Sequence, residues 1–220
     1  MSTSYYVYVS DAKIDMMLQQ IDPGSTDGHQ TEFSFGLNNM LGSRRTVVSE
    51  AGSAQFARLE QVLRYLSDTR SVGSLDAPES YFWGMMPMRS RLIPTEFSGP
   101  LAFFGGTWEG TAVGLGGSSR HLLIGGAEDA GFSAGSITPG ILGGIASSEL
   151  EDELVVDAVQ DEIDGDLDAL ETVRKAVAAL RGPTQTFEFV AKRLLHGDSG
   201  SPGAERPALL GTPLYVALVD

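Results

Sequence analysis

Apolar positions along the chain recur with two periods, and the alternation between them sets an order of elements. Residues 5–9 (Tyr-Tyr-Val-Tyr-Val) are a continuous run of β-formers, the pattern of a strand covered on both faces. Ile14, Met17, Leu18 and Ile21 follow at helical spacing behind Ser10 or Asp11, either of which can cap the helix, and Pro23-Gly24 stops it. Residues 31–37 and 45–49 read as short strands. A second helix is expected with Ser53 as its cap and Phe56, Leu59, Val62, Leu63 and Leu66 inward. Residues 75–78 form a loop, and 81–93 are rich in aromatics and methionine, with Pro87 predicting an edge or bulge.

Fourteen of the 27 glycines lie within 99–144, between short apolar runs at 101–104, 111–115 and 121–124. About three strands are expected here, with 116–119 (Gly-Gly-Ser-Ser) as a hairpin turn. Strands studded with glycine either pack backbone closely or leave room for a ligand against it. Residues 149–171 hold eleven acidic side chains and no basic one, yet helical spacing persists. They predict two helices broken at Gly165 and ending at Gly182-Pro183. A strand over 184–195, or a strand running into a short helix, a loop over 197–207 and a strand over 214–219 complete the chain. The expected fold is α+β: a single domain over 1–220 with a mainly antiparallel sheet flanked by helices and an acidic helical hairpin insert at 148–182. Both terminal strands are expected near the sheet centre.

Composition narrows the function classes. The 220 residues suit one domain that buries roughly 70% of its extended surface. No cysteine is present, which excludes disulfides, thiolate metal sites and cysteine nucleophiles and fits a cytoplasmic protein. The first residues carry no basic leader, which argues against a signal peptide. No apolar run approaches the roughly 18 residues of a membrane span. The net charge of −14, with Lys and Arg scattered, argues against nucleic acid and anionic membranes as partners.

Several motifs carry candidate chemistry. His196-Gly-Asp198-Ser199-Gly-Ser-Pro202 resembles the nucleophile loop of chymotrypsin-like serine proteases, although the histidine context expected upstream is absent and the early helices do not suit a double β-barrel. Gly131-Phe-Ser133-Ala-Gly135 matches the nucleophile elbow of α/β-hydrolases, although 125–130 separates it from the nearest strand and Pro139-Gly140 limits a following helix. A serine hydrolase would use Ser199 or Ser133 with His196 or His121 as base. Glu162, Asp164, Asp166, Asp168 and Glu171 half-match a calcium loop, but Gln160 stands where aspartate is needed; Asp168 with Glu171 is also spaced as a capping box. The phosphate-loop spacing at 105–110 is followed by Thr111 where lysine is required. A backbone nest at Gly116, Gly117 and Ser118, with Arg120 and His121 beside it, suits a small anion. Tyr81, Trp83, Arg89 and Arg91, with Trp108, suit a pocket that stacks on an anionic ligand and grips it. Neither His29 nor His121 has neighbours at metal-ligand spacing, and no cofactor or metal is expected.

Tyr6-Val-Tyr-Val-Ser-Asp-Ala-Lys13, Phe103-Phe-Gly-Gly106, Val113-Gly-Leu-Gly-Gly-Ser118 and Leu210-Gly-Thr-Pro-Leu-Tyr-Val216 together resemble a family of small bacterial proteins of unknown function. Some such proteins look like parts of bacterial conflict systems that pair with caspase-like peptidases or nucleotide-dependent regulators. The resemblance implies a sensor or adaptor rather than a catalyst, and it assigns no catalytic residues. The expected function is a non-enzymatic module that senses a small anionic ligand or binds a protein partner, with a homo-oligomer left open. A serine hydrolase and a calcium-responsive interaction protein are the alternatives.

Overall fold

A computed structural model describes residues 4–21, 50–94, 99–123, 141–142, 145, 166–198 and 207–219. Its elements run β1 (Ser4–Val9), α1 (Asp11–Ile21), α2 (Glu50–Asp68), β2 (Val72–Gly73), β3 (Tyr81–Ile93), β4 (Leu101–Trp108), β5 (Thr111–Ser118), α3 (Asp166–Ala179), β6 (Gln185–Asp198) and β7 (Pro207–Val219). The strands do not lie in an open sheet. Strand β7 pairs antiparallel with β6 and parallel with β5, β5 pairs with β4, and β4 pairs with the second half of β3. The first half of β3 returns to β6, so five strands close into a barrel. Strand β1 pairs with β7 and β2 with the start of β3, as two additions. The α+β class holds, but the expected mainly antiparallel sheet is corrected to a closed barrel containing a parallel β5–β7 pair.

Closure explains the long, apolar strands, because each buries one face inside the barrel and much of the other under a helix. Phe82, Met86, Phe104, Leu115, Phe187 and Phe189 fill the interior. Outside, α3 lays Leu170, Val173 and Val177 against Phe103 and Leu210. Helices α1 and α2 lay Ile14, Leu59, Val62 and Leu66 against Val190 and Tyr215. Pro87 is in register opposite Thr186 of β6, two residues before β3 takes up pairing with β4 at Arg89. It therefore marks a change of partner rather than a sheet edge.

Local expectations shift with this closure. Residues 116–119 are not a hairpin turn: β5 runs through Ser118, and the turn lies at Glu109-Gly110, with φ of 45° and 89°. Two positive φ values match the twist of a tight hairpin, which glycine adopts without strain. The third strand expected at 121–124 reduces to one bridge, Tyr8 to Leu122, after a single 3₁₀ turn at Ser119–His121. Helix α2 starts at Glu50 rather than after Ser53, and β7 starts at Pro207 rather than 214. The second helix of the acidic hairpin is α3; the first, and the strands expected at 31–37 and 45–49, lie outside the described residues. Strand β7 is central as expected, whereas β1 lies outside the closed ring, pairs with β7 and sends Tyr8 into the interior cluster. Among the described residues no helix is long and apolar enough to cross a membrane.

Candidate functional site

Strand β7 changes partner partway along. It pairs with β5 through Gly211 and with β1 from Tyr215. Across 212–214 the two neighbours diverge, leaving a fork. The chain exits β1 at this point: Ser10 N donates to Leu214 O at 2.8 Å, and Ser10 O accepts from Ile14 N to open α1. One helical step past Ser10 brings Lys13 over the fork. Its Nζ donates to Thr212 Oγ1 at 2.6 Å and to Pro213 O at 2.9 Å. Burial, then the nearby Lys192, lowers the Lys13 pKa to about 7. Lys192 stands opposite Thr212 on β6.

The other wall is the end of β5 and the turn after it. Tyr8 is fully buried, with its ring edge-on to Phe104 at 6.3 Å and to His121 at 5.7 Å. Lys13 Nζ lies 6.0 Å from the centre of the same ring. Among the described residues no group meets hydrogen-bond geometry with the Tyr8 hydroxyl. That hydroxyl sits 2.2 Å from where a Cβ on Gly117 would be, so glycine there makes its space. Burial pushes the Tyr8 pKa well above the usual tyrosine range, against smaller opposing effects of Ser10 and Arg120, and the phenol stays protonated. Arg120 Nε donates to His121 Nε2 at 3.3 Å, which requires a lone pair on Nε2 and thus the neutral Nδ1–H imidazole. Burial, then Arg120 and Lys13, lowers the His121 pKa to about 4, with Asp11 opposing. Asp11 is itself engaged by Gln55 and Arg58 of α2.

The fork brings Gly117 and His121 of the expected anion nest, with Arg120 bonded to His121, beside Tyr8, Lys13 and Thr212, which the sequence reading did not select, whereas Gly116 faces Ile141 on the other side of β5. The aromatic–arginine pocket does not assemble. The Tyr81 hydroxyl, its pKa raised by burial, donates to Met17 Sδ at 3.4 Å. Trp83 Nε1 donates to Glu188 at 3.3 Å, and Trp108 Nε1 to Asp76 at 3.0 Å. Arg91 lines a largely apolar hollow of about 410 Å³ with Leu92, Phe104 and Phe187. Arg89 lines a separate cleft of about 530 Å³ with Arg174, Lys175 and Glu171. In that cleft Arg89 Nε is bonded to Gly182 O and Arg174 is paired with Glu171, so its guanidiniums are already engaged.

Several of the hydrolase and calcium candidates lie outside the described residues. Ser133 and Ser199 lie outside the described residues, and His196 is exposed on β6 opposite Leu209. Glu162 and Asp164 also lie outside them, while Asp166 and Asp168 fall in the first turn of α3. Among the described residues no group of three or more His, Cys, Asp or Glu is placed to hold a metal. No curated protein and no solved structure matches this chain. One family model does match, over residues 4–220, from the first strand of the fold through the last, and the chain belongs to that family of unknown function, DUF7019.

Proposed function

We propose that the chain is a non-enzymatic sensing module that binds a small anion at the β5–β7–β1 fork. The observation that carries this reading is the Lys13 ammonium. Among the described residues it is turned inward onto two neutral oxygens, Thr212 Oγ1 and Pro213 O, with no carboxylate among its bonds. A buried cation without a counter-charge favours an anion that supplies one. Exposed Arg120 adds a second cation beside His121 at the edge of the fork. Against a net charge of −14, such a cationic spot is local and specific rather than a general field. The short motifs of the opening strand, the glycine-rich middle and the last strand support the finer reading, an adaptor in a bacterial conflict system. In that reading the acidic residues of 149–171 supply the partner face.

Thermal unfolding with increasing inorganic phosphate or acetate at pH 6 tests the proposal. Wild-type protein should gain stability with ligand, by about 2.7 kcal/mol at a hundred times Kd. Lys13→Met should lose most of that gain, whereas Arg89→Ala and Arg91→Ala should keep it. Equal gains in wild type and Lys13→Met would remove the site.

A further inference from the structure

Period-two alternation along β3 sends Phe82, Met86 and Met88 into the barrel, and each is buried. The next two residues on that face, Ser90 and Leu92, are exposed, Leu92 by 52%. Register explains the change. Strand β6 begins at Gln185, opposite Met88, so among the described residues β3 runs on with β4 alone beside it. There β4 sets Phe104 and Ala102, both of the interior cluster, opposite Ser90 and Leu92. Among the described residues the barrel is therefore open at this end, and the opening is the hollow of about 410 Å³. Phe187 and Leu218, a register pair of β6 and β7, form its far wall, and Val7 and Leu122 line its side. Its size falls within the roughly 300–1,000 Å³ of small-molecule sites, which recur in the mouths of barrels.

We propose that this mouth binds a medium-chain carboxylic acid, with its alkyl tail inside the hollow and its carboxylate at Arg91. The lining chooses that class. Its walls are mostly hydrocarbon and aromatic ring, which take an alkyl tail out of water. Of the described residues that line it, Arg91 alone is charged. Arg91 stands opposite Phe103, on the outward face of β3, and is exposed, so its charge lies at the rim rather than inside. A guanidinium carries five N–H donors in a planar fork and can hold a carboxylate alongside its other bonds. An apolar chamber with one cation and no anion in its lining favours an apolar anion over a cation or a polyol. The tail also covers Leu92, which completes the inward face of β3. The site is separate from the Lys13 fork and does not rest on it, because it selects by chain length where the fork selects by charge.

Calorimetric titration of the intact chain with butyrate, hexanoate and octanoate tests the proposal. Affinity should rise about threefold to fourfold with each added methylene, because each leaves water for the hollow. Octanol, which has the same tail and no charge, should bind about tenfold more weakly or worse, since hydrogen bonds to a charged partner are the stronger ones. Leu92→Asp should lose octanoate binding at an unchanged thermal midpoint, because the side chain it replaces is exposed. In wild-type protein, nuclear Overhauser contacts should join the octanoate methylenes to Phe104, Phe187 and Leu218, a readout that needs no variant. Equal affinity for butyrate and octanoate, both lost in Lys13→Met, would place the two at the fork and overturn the mouth site. Octanol bound as tightly as octanoate would overturn the choice of an acid. No octanoate binding, or contacts elsewhere, overturns the site outright. So does a dimer in sedimentation that Leu92→Asp dissolves, which would give the mouth to a second copy of the chain.

Discussion

Burial acts on three ionisable groups at the fork, and two of them, Lys13 and His121, link folding to pH below about 10.5. The folded pKa of Lys13, about 7, lies below its ordinary 10.5. Between those values the unfolded chain holds a proton that the folded chain lacks, so stability rises with pH there. His121 follows the same rule lower down, with a folded pKa of about 4 against 6.5, so its contribution is lost as pH falls from 6.5 through 4. Subtracting the denaturation profile of Lys13→Met from that of wild type should leave a rise between pH 7 and 10.5; a flat difference would show that the amine is not desolvated. Gly117→Ala should destabilise by about 1–3 kcal/mol in urea unfolding, because its Cβ falls 2.2 Å from the Tyr8 hydroxyl. Pairing it with Tyr8→Phe should recover much of that loss. Glycine beside cations made Gly117, Arg120 and His121 selectable from the sequence, and Gly117 and His121 lie against Tyr8. Lys13 was not, since a lone lysine one turn into a helix reads as solvated surface. Only the partner change of β7 turns it inward.

Among the elements, the helices were readable because their stripes bury one face against strands. Val62, Leu66, Val173 and Val177 occupy the inward positions that helical spacing assigned. Leu170→Ala should cost about 2–5 kcal/mol, since the side chain is 3% exposed between α3 and the barrel wall. A shift below that range in chemical denaturation would mean that α3 packs loosely. Turn position was less readable. Gly-Gly-Ser-Ser at 116–119 has stronger turn chemistry than Glu109-Gly110, yet Gly116 and Gly117 stay in a strand opposite Phe103 and Ala102 of β4. Gly110→Ala, at φ 89° with open space around it, should cost about 1 kcal/mol through backbone strain alone. The partner change in β3 next to Pro87 has no local signal, because it depends on where β4 and β6 end.

For the whole molecule, closure makes β7 the hub, bonded on one edge to β6 and on the other to β5 and then β1. Its amides between Leu209 and Ala217 should be among the slowest to exchange with deuterium, at rates set by global unfolding. Exchange there as fast as in β2, which has two residues in the sheet, would argue that the barrel opens locally. Pairing between residues as distant as Ser4 and Val219 raises contact order and predicts folding slower than that of a helical protein of this length. The fork arises from this same hub, and it has a consequence for synthesis. During translation the N-terminal strand, the glycine-rich hairpin and β6 all leave the ribosome before β7 does. Until residues 207–219 emerge, each of the three presents an open edge meant for one absent strand, and Lys13 has neither of its acceptors. Open edges of that kind favour binding by holding chaperones, and the acceptors of Lys13 are in place only once β7 has joined the barrel.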